Sequence, residues 1–356
     1  MKNDLKINQS KISLDSPTYF IADIASNHDS DLERAKDLIY LCKEAGANAV
    51  KFQHFLAEKI VSDHGFKSLK TGLSHQENWD KSVFDIYKQY ECNREWTDEL
   101  INTAKKAEID FFTTPYDDEA LQIFNQIVPA YKIGSGDITW TEFIEKIAKV
   151  GKPVLLATGA STYDDVKRAM SAILKHTSDI ILMQCNTNYT GNLENFKYIQ
   201  LNVLKLFERE YPQIHIGLSD HTPGHATVLG AIALGARCIE KHFTDDNNRI
   251  GPDHPFSMDP SSWREMINRS KELELSLGIE TKKVEDNEKD TIIVQRRAIR
   301  FKYDCKVGHT IHKEDIEMLR PCPNSSLQPY ELEKILGKKL KVDKLLGEDI
   351  AMKDIE

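Results

Sequence analysis

His221 and His242 lie about twenty residues apart, each closing a short apolar run, "HIGLSD" before the first and "CIEKH" at the second. Two imidazoles held near one another, with water or substrate oxygens completing the shell, suit a divalent cation. Manganese is the first expectation, with magnesium or cobalt as alternatives. Asp220, next in sequence to His221, offers a carboxylate to the same shell. Lys51 and Lys132 stand at the ends of other apolar runs, as do Ser135, Thr158 and Ser219. Two ammonium groups with hydroxyl donors make an anion site, and a phosphate group is its natural guest. Any one of these residues is ordinary in a polar loop. Two lysines, two histidines and three hydroxyl residues closing apolar runs ask for more than loop polarity.

Such residues need a scaffold that brings distant run ends together. Eight apolar runs span 19–25, 49–53, 110–115, 130–135, 153–159, 180–185, 215–220 and 238–244. Amphipathic stretches separate them. Leu32, Ala35, Leu38, Ile39 and Cys42 share one face of a helix that stops at Gly46. Apolar strands alternating with helices indicate a parallel sheet covered by helices. Eight such units in about 270 residues predict a (β/α)8 TIM barrel. An open doubly wound sheet would want a glycine-rich turn after its first strand, and "ADIASNHDSD" has none. In a barrel the C-terminal strand ends meet at one mouth. That reading gathers Asp23, Lys51, Gln53, Thr113, Lys132 and Ser135 with Asp137, Thr158, Tyr189, Ser219, His221 and His242.

The helix–strand rhythm ends near residue 280, so residues 1–280 are read as the barrel domain. The polar stretch 281–295 is expected to be a linker or extended arm. Residues 296–356 read as a small second domain, mixed but mostly β, with one short helix in "YELEKILGKKL". The formal charge of −9 argues against a general nucleic-acid binder. No window approaches the roughly 18 apolar residues of a membrane span. The start, "MKNDLKINQSKISLDSP", lacks the apolar core of a signal peptide. Six cysteines without close pairing point to reduced thiols and a cytoplasmic protein.

The motifs "KFQ", "YKIGSGD", "ATGAS", "GLSDHTPG", "IEKHFT" and "GPDHPFSM", in this order and spacing, resemble the sialic acid synthase family. The tail "RRAIR", "GHTIHKEDIEMLRP" and "LGKKL" is similar to the antifreeze-like (SAF) domain that follows the barrel in that family. The resemblance covers about residues 15–356. It implies condensation of phosphoenolpyruvate with an N-acylated mannose-type sugar, phosphate release by C–O cleavage, and a nine-carbon 3-deoxy-2-keto sugar acid. It implies His221 and His242 as metal ligands. Lys51, Thr113, Lys132, Ser135 and Ser219 become phosphoenolpyruvate contacts, with Asp137 steering a proton. Gln53, Tyr189 and Asp253 fall at sugar-side positions, and Asp23 at an acidic position ending the first strand. Arg320 matches the tail arginine that reaches the acyl group in a partner subunit's site, so a domain-swapped homodimer is expected. The chain departs from the usual pattern at Asp23 and Asp137, each commonly glutamate. It also departs at Ala157, commonly serine, in "CNTNY", and at Cys322, Pro323 and Asn324. Two other readings remain at this stage. One is a Schiff-base keto-acid aldolase on the same barrel, the other a non-catalytic carbohydrate-binding protein.

Overall fold

In the computed structural model a short antiparallel hairpin, β1 (Leu5–Ile7) and β2 (Ser10–Ile12), precedes eight parallel strands. These are β3 (Tyr19–Asp23), β4 (Ala49–His54), β5 (Asp110–Pro115), β6 (Tyr131–Ile133), β7 (Val154–Ala157), β8 (Ile180–Cys185), β9 (His215–Asp220) and β10 (Cys238–His242). They close into a ring in chain order, with β10 pairing back to β3. The fold is the expected TIM barrel. The structure describes residues 2, 4–69, 76 and 79–356. Among them no helix is long and apolar enough to cross a membrane.

Strand alternation sorts the side chains into two layers. Ile21, Ala49, Phe112, Leu155, Ile181 and Cys238 face inward, and Leu5, Ile7 and Ile12 of the hairpin join the same cluster. The hairpin therefore helps fill the end of the barrel where the strands begin. Asn8 and Tyr19 both donate to the Asp110 carboxylate at 2.5 Å and secure it there. The sequence reading did not include this hairpin. The outward-facing Phe20, Val50, Phe52, Phe111, Ile133 and Leu156 pack against the helices. The first of these helices, Leu32–Ala45, buries Ala35, Leu38, Ile39 and Cys42 as its spacing predicts. Asp31 caps its start, and Gly46 ends it with φ of 99°, where a side chain would be strained.

The chain divides into two units, Met1–Gly278 and Ile279–Glu356. The second holds β11 (Ala298–Phe301) paired antiparallel with β12 (Ile316–Leu319). Isolated bridges such as Thr310 to Lys339 and Leu340 to Ile355 complete a small, mostly β unit. Its own core contains Ile299, Phe301, Ile311, Ile335 and Ile350. The polar stretch read as a linker lies inside this unit, and its second part is the helix Lys289–Gln295. Ile293 accepts from the Cys322 amide at 2.8 Å, which holds the stretch in place. "YELEKILGKKL" contributes a 3-10 turn, Pro329–Lys334, rather than an α-helix.

Candidate active site

Register brings the chemical groups to one level. Asp23 pairs with His242 on one side and with Lys51 on the other, while Ser219 pairs with both Cys185 and Glu240. A cavity of about 370 Å³ opens at this end of the barrel. Asp23, Lys51, Gln53, Lys132, Ser135 and Asp137 line it, and so do Tyr189, Ser219, His221 and His242. Ten of the residues expected at the mouth thus share one space.

Its floor is a buried charge network. Lys51 Nζ lies 2.6 Å from Asp23 Oδ2, and Lys132 Nζ lies 2.8 Å from Glu240 Oε1. Gln53 Nε2 donates to Asp23 at 2.9 Å, and Ser219 Oγ to Glu240 at 3.2 Å. Burial opposes charge on every member. It pulls Lys51 down, but Asp23 and Glu240 outweigh it and leave Lys51 above the usual lysine range. It pushes Asp23 and Glu240 up, but the lysines outweigh it and hold both carboxyls below their ordinary values. Asp137 has no such partner among the described residues, and burial pushes it up to about 6.

The two histidine rings lie 5.3 Å apart, centroid to centroid. The Asn186 carbonyl accepts from His221 Nδ1 at 3.0 Å, which fixes the orientation of the ring. His242 Nε2 stands 3.8 Å from Asp23, and its buried Nδ1 has no hydrogen-bond partner among the described residues. Burial keeps His242 below the usual histidine range, so it is neutral near pH 7. Glu240 Oε2, also buried, is likewise unpartnered among the described residues. This donor set fits a divalent cation. Among the described residues no group of three or more histidine, cysteine or carboxylate ligands forms a ready cage. A cation here would keep positions open for water or substrate.

Several expected residues sit elsewhere. Thr113 faces the helix layer, and its hydroxyl meets His54 Nδ1 at 2.7 Å. Its neighbour Thr114 faces the cavity instead, 3.4 Å from Lys51 Nζ. The reason is the pleat: Lys51 and Thr114 point inward, Phe52 and Thr113 outward. Thr158 donates to the Met183 carbonyl at 2.9 Å and lines a separate groove. None of Asn186, Thr187 and Asn188 lines the main cavity. Thr187 comes nearest in the network, crowding Gly159, where an added Cβ would lie 1.9 Å from its hydroxyl. The Gly159 amide donates to Ser135 Oγ at 2.9 Å, so this close approach orients Ser135. Asp220 points outward to Lys241 at 2.5 Å and is withdrawn from the histidines. Asp253 lines an adjoining cavity with Gln53, Tyr189 and His242. Arg320 is an exposed residue of the second unit, its Nε donating to Gln295.

The family model for NeuB matches residues 38–282. The chain belongs to the NeuB family. N,N'-diacetyllegionaminic acid synthase of Campylobacter jejuni is 33% identical over 340 residues, 93% of this chain and 99% of that protein. The protein of the same name from Legionella pneumophila is 31% identical over 365 residues, 100% of both. A solved N-acetylneuraminic acid synthetase from Leptospira borgpetersenii, in complex with citrate, matches with a TM-score of 0.71 at 28% identity. That match covers 82% of this chain and 96% of the other.

In this NeuB-family barrel, Glu240 is the residue that sequence reasoning missed. It sits two positions before His242 in a strand, hence on the same face. A period of two counted back from the histidine finds it. Tyr116 was missed as well; its hydroxyl reaches Gln53 Oε1 at 3.4 Å across the cavity.

Proposed function

We infer that the chain condenses phosphoenolpyruvate with an N-acylated mannose-type sugar to form a nine-carbon 3-deoxy-2-keto sugar acid, a nonulosonic acid of surface glycans. One observation carries the reading: a single cavity in a NeuB-family barrel joins two buried lysines to a close histidine pair. Lys51 and Lys132, with Ser135, Ser219 and Thr114, bind the phosphate. Asp23 and Glu240 hold the two ammonium groups in place before substrate arrives. C3 of phosphoenolpyruvate attacks the aldehyde carbon of the sugar, C2 becomes electron-poor, water adds there, and phosphate leaves with the bridging oxygen. Asp137, poised near neutrality, takes the proton from that water. A divalent cation, manganese first, bound by His221 and His242 would supply Lewis acidity toward the aldehyde oxygen. Gln53, Tyr189 and Asp253 orient the sugar.

A Schiff-base aldolase needs an amine whose pKa is lowered, and Lys51 is shifted the other way. A purely carbohydrate-binding role leaves the buried charge network without a purpose. We further propose that the second unit is the antifreeze-like domain, with Arg320 meeting the acyl group in a second copy's barrel. The six buried, unpaired cysteines suit a cytoplasmic setting. The test of the reaction is phosphoenolpyruvate labelled with ¹⁸O at the bridging position. The label should leave with phosphate, in step with formation of the keto acid. Label retained in the sugar acid would mean P–O cleavage and would defeat the mechanism.

A further inference from the structure

Asp220 and Lys241 have no part in the reaction above, yet they meet directly behind the histidine pair. They stand opposite each other in the register of β9 and β10, and each immediately precedes a histidine in sequence. Strand alternation turns Ser219 and Glu240 into the barrel and Asp220 and Lys241 out of it. Lys241 Nζ lies 2.5 Å from Asp220 Oδ2, with 1% of each side chain exposed. From the helix Ala226–Ala233, Thr227 donates its hydroxyl to the same oxygen at 2.6 Å.

The pair also grips the backbone on the far side of His221. Lys241 Nζ donates to the Thr222 carbonyl at 2.5 Å. Asp220 Oδ1 accepts from the Thr222 amide at 3.2 Å, folding the chain as an Asx turn. His221 is therefore bracketed. The residue before it and the residue after it are both bonded to Lys241, whose next neighbour in sequence is His242.

The imidazoles themselves have fewer ties. His221 has its bond to the Asn186 carbonyl, while His242 Nδ1 has no hydrogen-bond partner among the described residues. Phe256 packs against both rings, 5.0 Å from His242 and 6.0 Å from His221. Packing on an aromatic face is not directional enough to set a spacing, so the 5.3 Å between the rings is set by the backbone that Asp220 and Lys241 tie together. Metal–ligand distances tolerate only about 0.2 Å of error, and that spacing decides whether two nitrogens reach one cation. A buried ion pair adds little net stability, because desolvation offsets the attraction. What it secures here is geometry.

We propose that Asp220 and Lys241 are positioning residues that fix the spacing of His221 and His242 for a divalent cation. This rests on the reading of those histidines as its ligands. The test measures Mn²⁺ binding by calorimetry on the full-length chain without substrate, with urea midpoints to establish folding. Asp220→Asn removes the charge facing Lys241 and keeps an acceptor for Thr222. The double change Asp220→Leu with Lys241→Met removes both charges at similar volume, so it leaves no stranded ion to unfold the chain. In both, the Mn²⁺ dissociation constant should rise by about 10–100-fold, the range for losing a group that orients a metal ligand. At saturating Mn²⁺ the phosphoenolpyruvate KM should match the parent's, because Lys51 and Lys132 lie on β4 and β6. Parental Mn²⁺ affinity in the folded double variant overturns the proposal and leaves the histidines as ligands. No Mn²⁺ binding by the parent chain overturns the reading of the histidines, and the proposal with it.

Discussion

Lys132 Nζ lies 2.8 Å from Glu240 Oε1 inside the barrel, with only 4% and 5% of the two side chains exposed. Each charge depends on the other. Lys132→Met strands a buried carboxylate and should lower stability to urea by about 3–5 kcal/mol, while phosphoenolpyruvate turnover collapses. The double change Lys132→Met with Glu240→Leu should recover most of that stability but none of the activity. If the double variant regains turnover, the pair is structural and the phosphate site lies elsewhere.

Asp137 makes activity depend on pH with a definite sign. Burial raises its carboxyl to about 6, so the base form is lost below that pH, and turnover should fall on the acid side. Asp137→Asn should leave a lower rate without that limb. Stability moves the other way. A carboxyl with a raised folded value favours the folded chain below its unfolded pKa and loses that contribution as pH rises through about 6. Asp137→Asn should therefore be more stable than the parent at pH 8, with the difference closing toward pH 4. Equal urea midpoints at pH 8 would contradict the burial of this group.

The histidine pair gives a test with two readouts. Calorimetry should detect one Mn²⁺ per chain, and His242→Ala should abolish that binding. Chelation should stop turnover in the parent, and added Mn²⁺ should restore it. Full turnover in excess chelator would take the cation out of the reaction.

Thr113 and Thr114 are adjacent but should behave differently. Thr114→Val removes a hydroxyl from the cavity and should raise the phosphoenolpyruvate KM. Thr113→Val leaves His54 Nδ1 without its partner and should cost about 1–3 kcal/mol of stability at an unchanged KM. The reverse pattern would put Thr113 in the phosphate site after all.

The barrel was legible because buried parallel strands write themselves as uninterrupted apolar runs, and eight of them stand between residues 19 and 244. The site was legible down to the strand end but less so to the face. Run ends locate Thr113 and Thr114 together, and only the pleat separates them. Glu240 was overlooked because a carboxylate inside a barrel strand is unusual until its lysine partner, on a strand far away in sequence, is known. The hairpin β1–β2 was hidden because Lys6, Asn8, Gln9 and Lys11 dilute the alternation of Leu5, Ile7 and Ile12. The helix Lys289–Gln295 was hidden by its polar approach, since its place is set by a bond to Cys322 and not by an apolar face.

The pairing of β3 with β10 joins residues about 220 positions apart, and loops of that size close late. At the usual rate of about 5–20 residues per second, the ribosome spends some ten seconds or more between making the first barrel strand and its last neighbour. Through that interval the nascent chain carries an open sheet edge at Tyr19–Asp23, and Asp23 lacks His242. A product cut short before residue 238 leaves β3 and β9 as two free edges, and such edges template aggregation. Premature termination would thus send the chain to proteolysis instead of yielding a closed barrel without its final histidine.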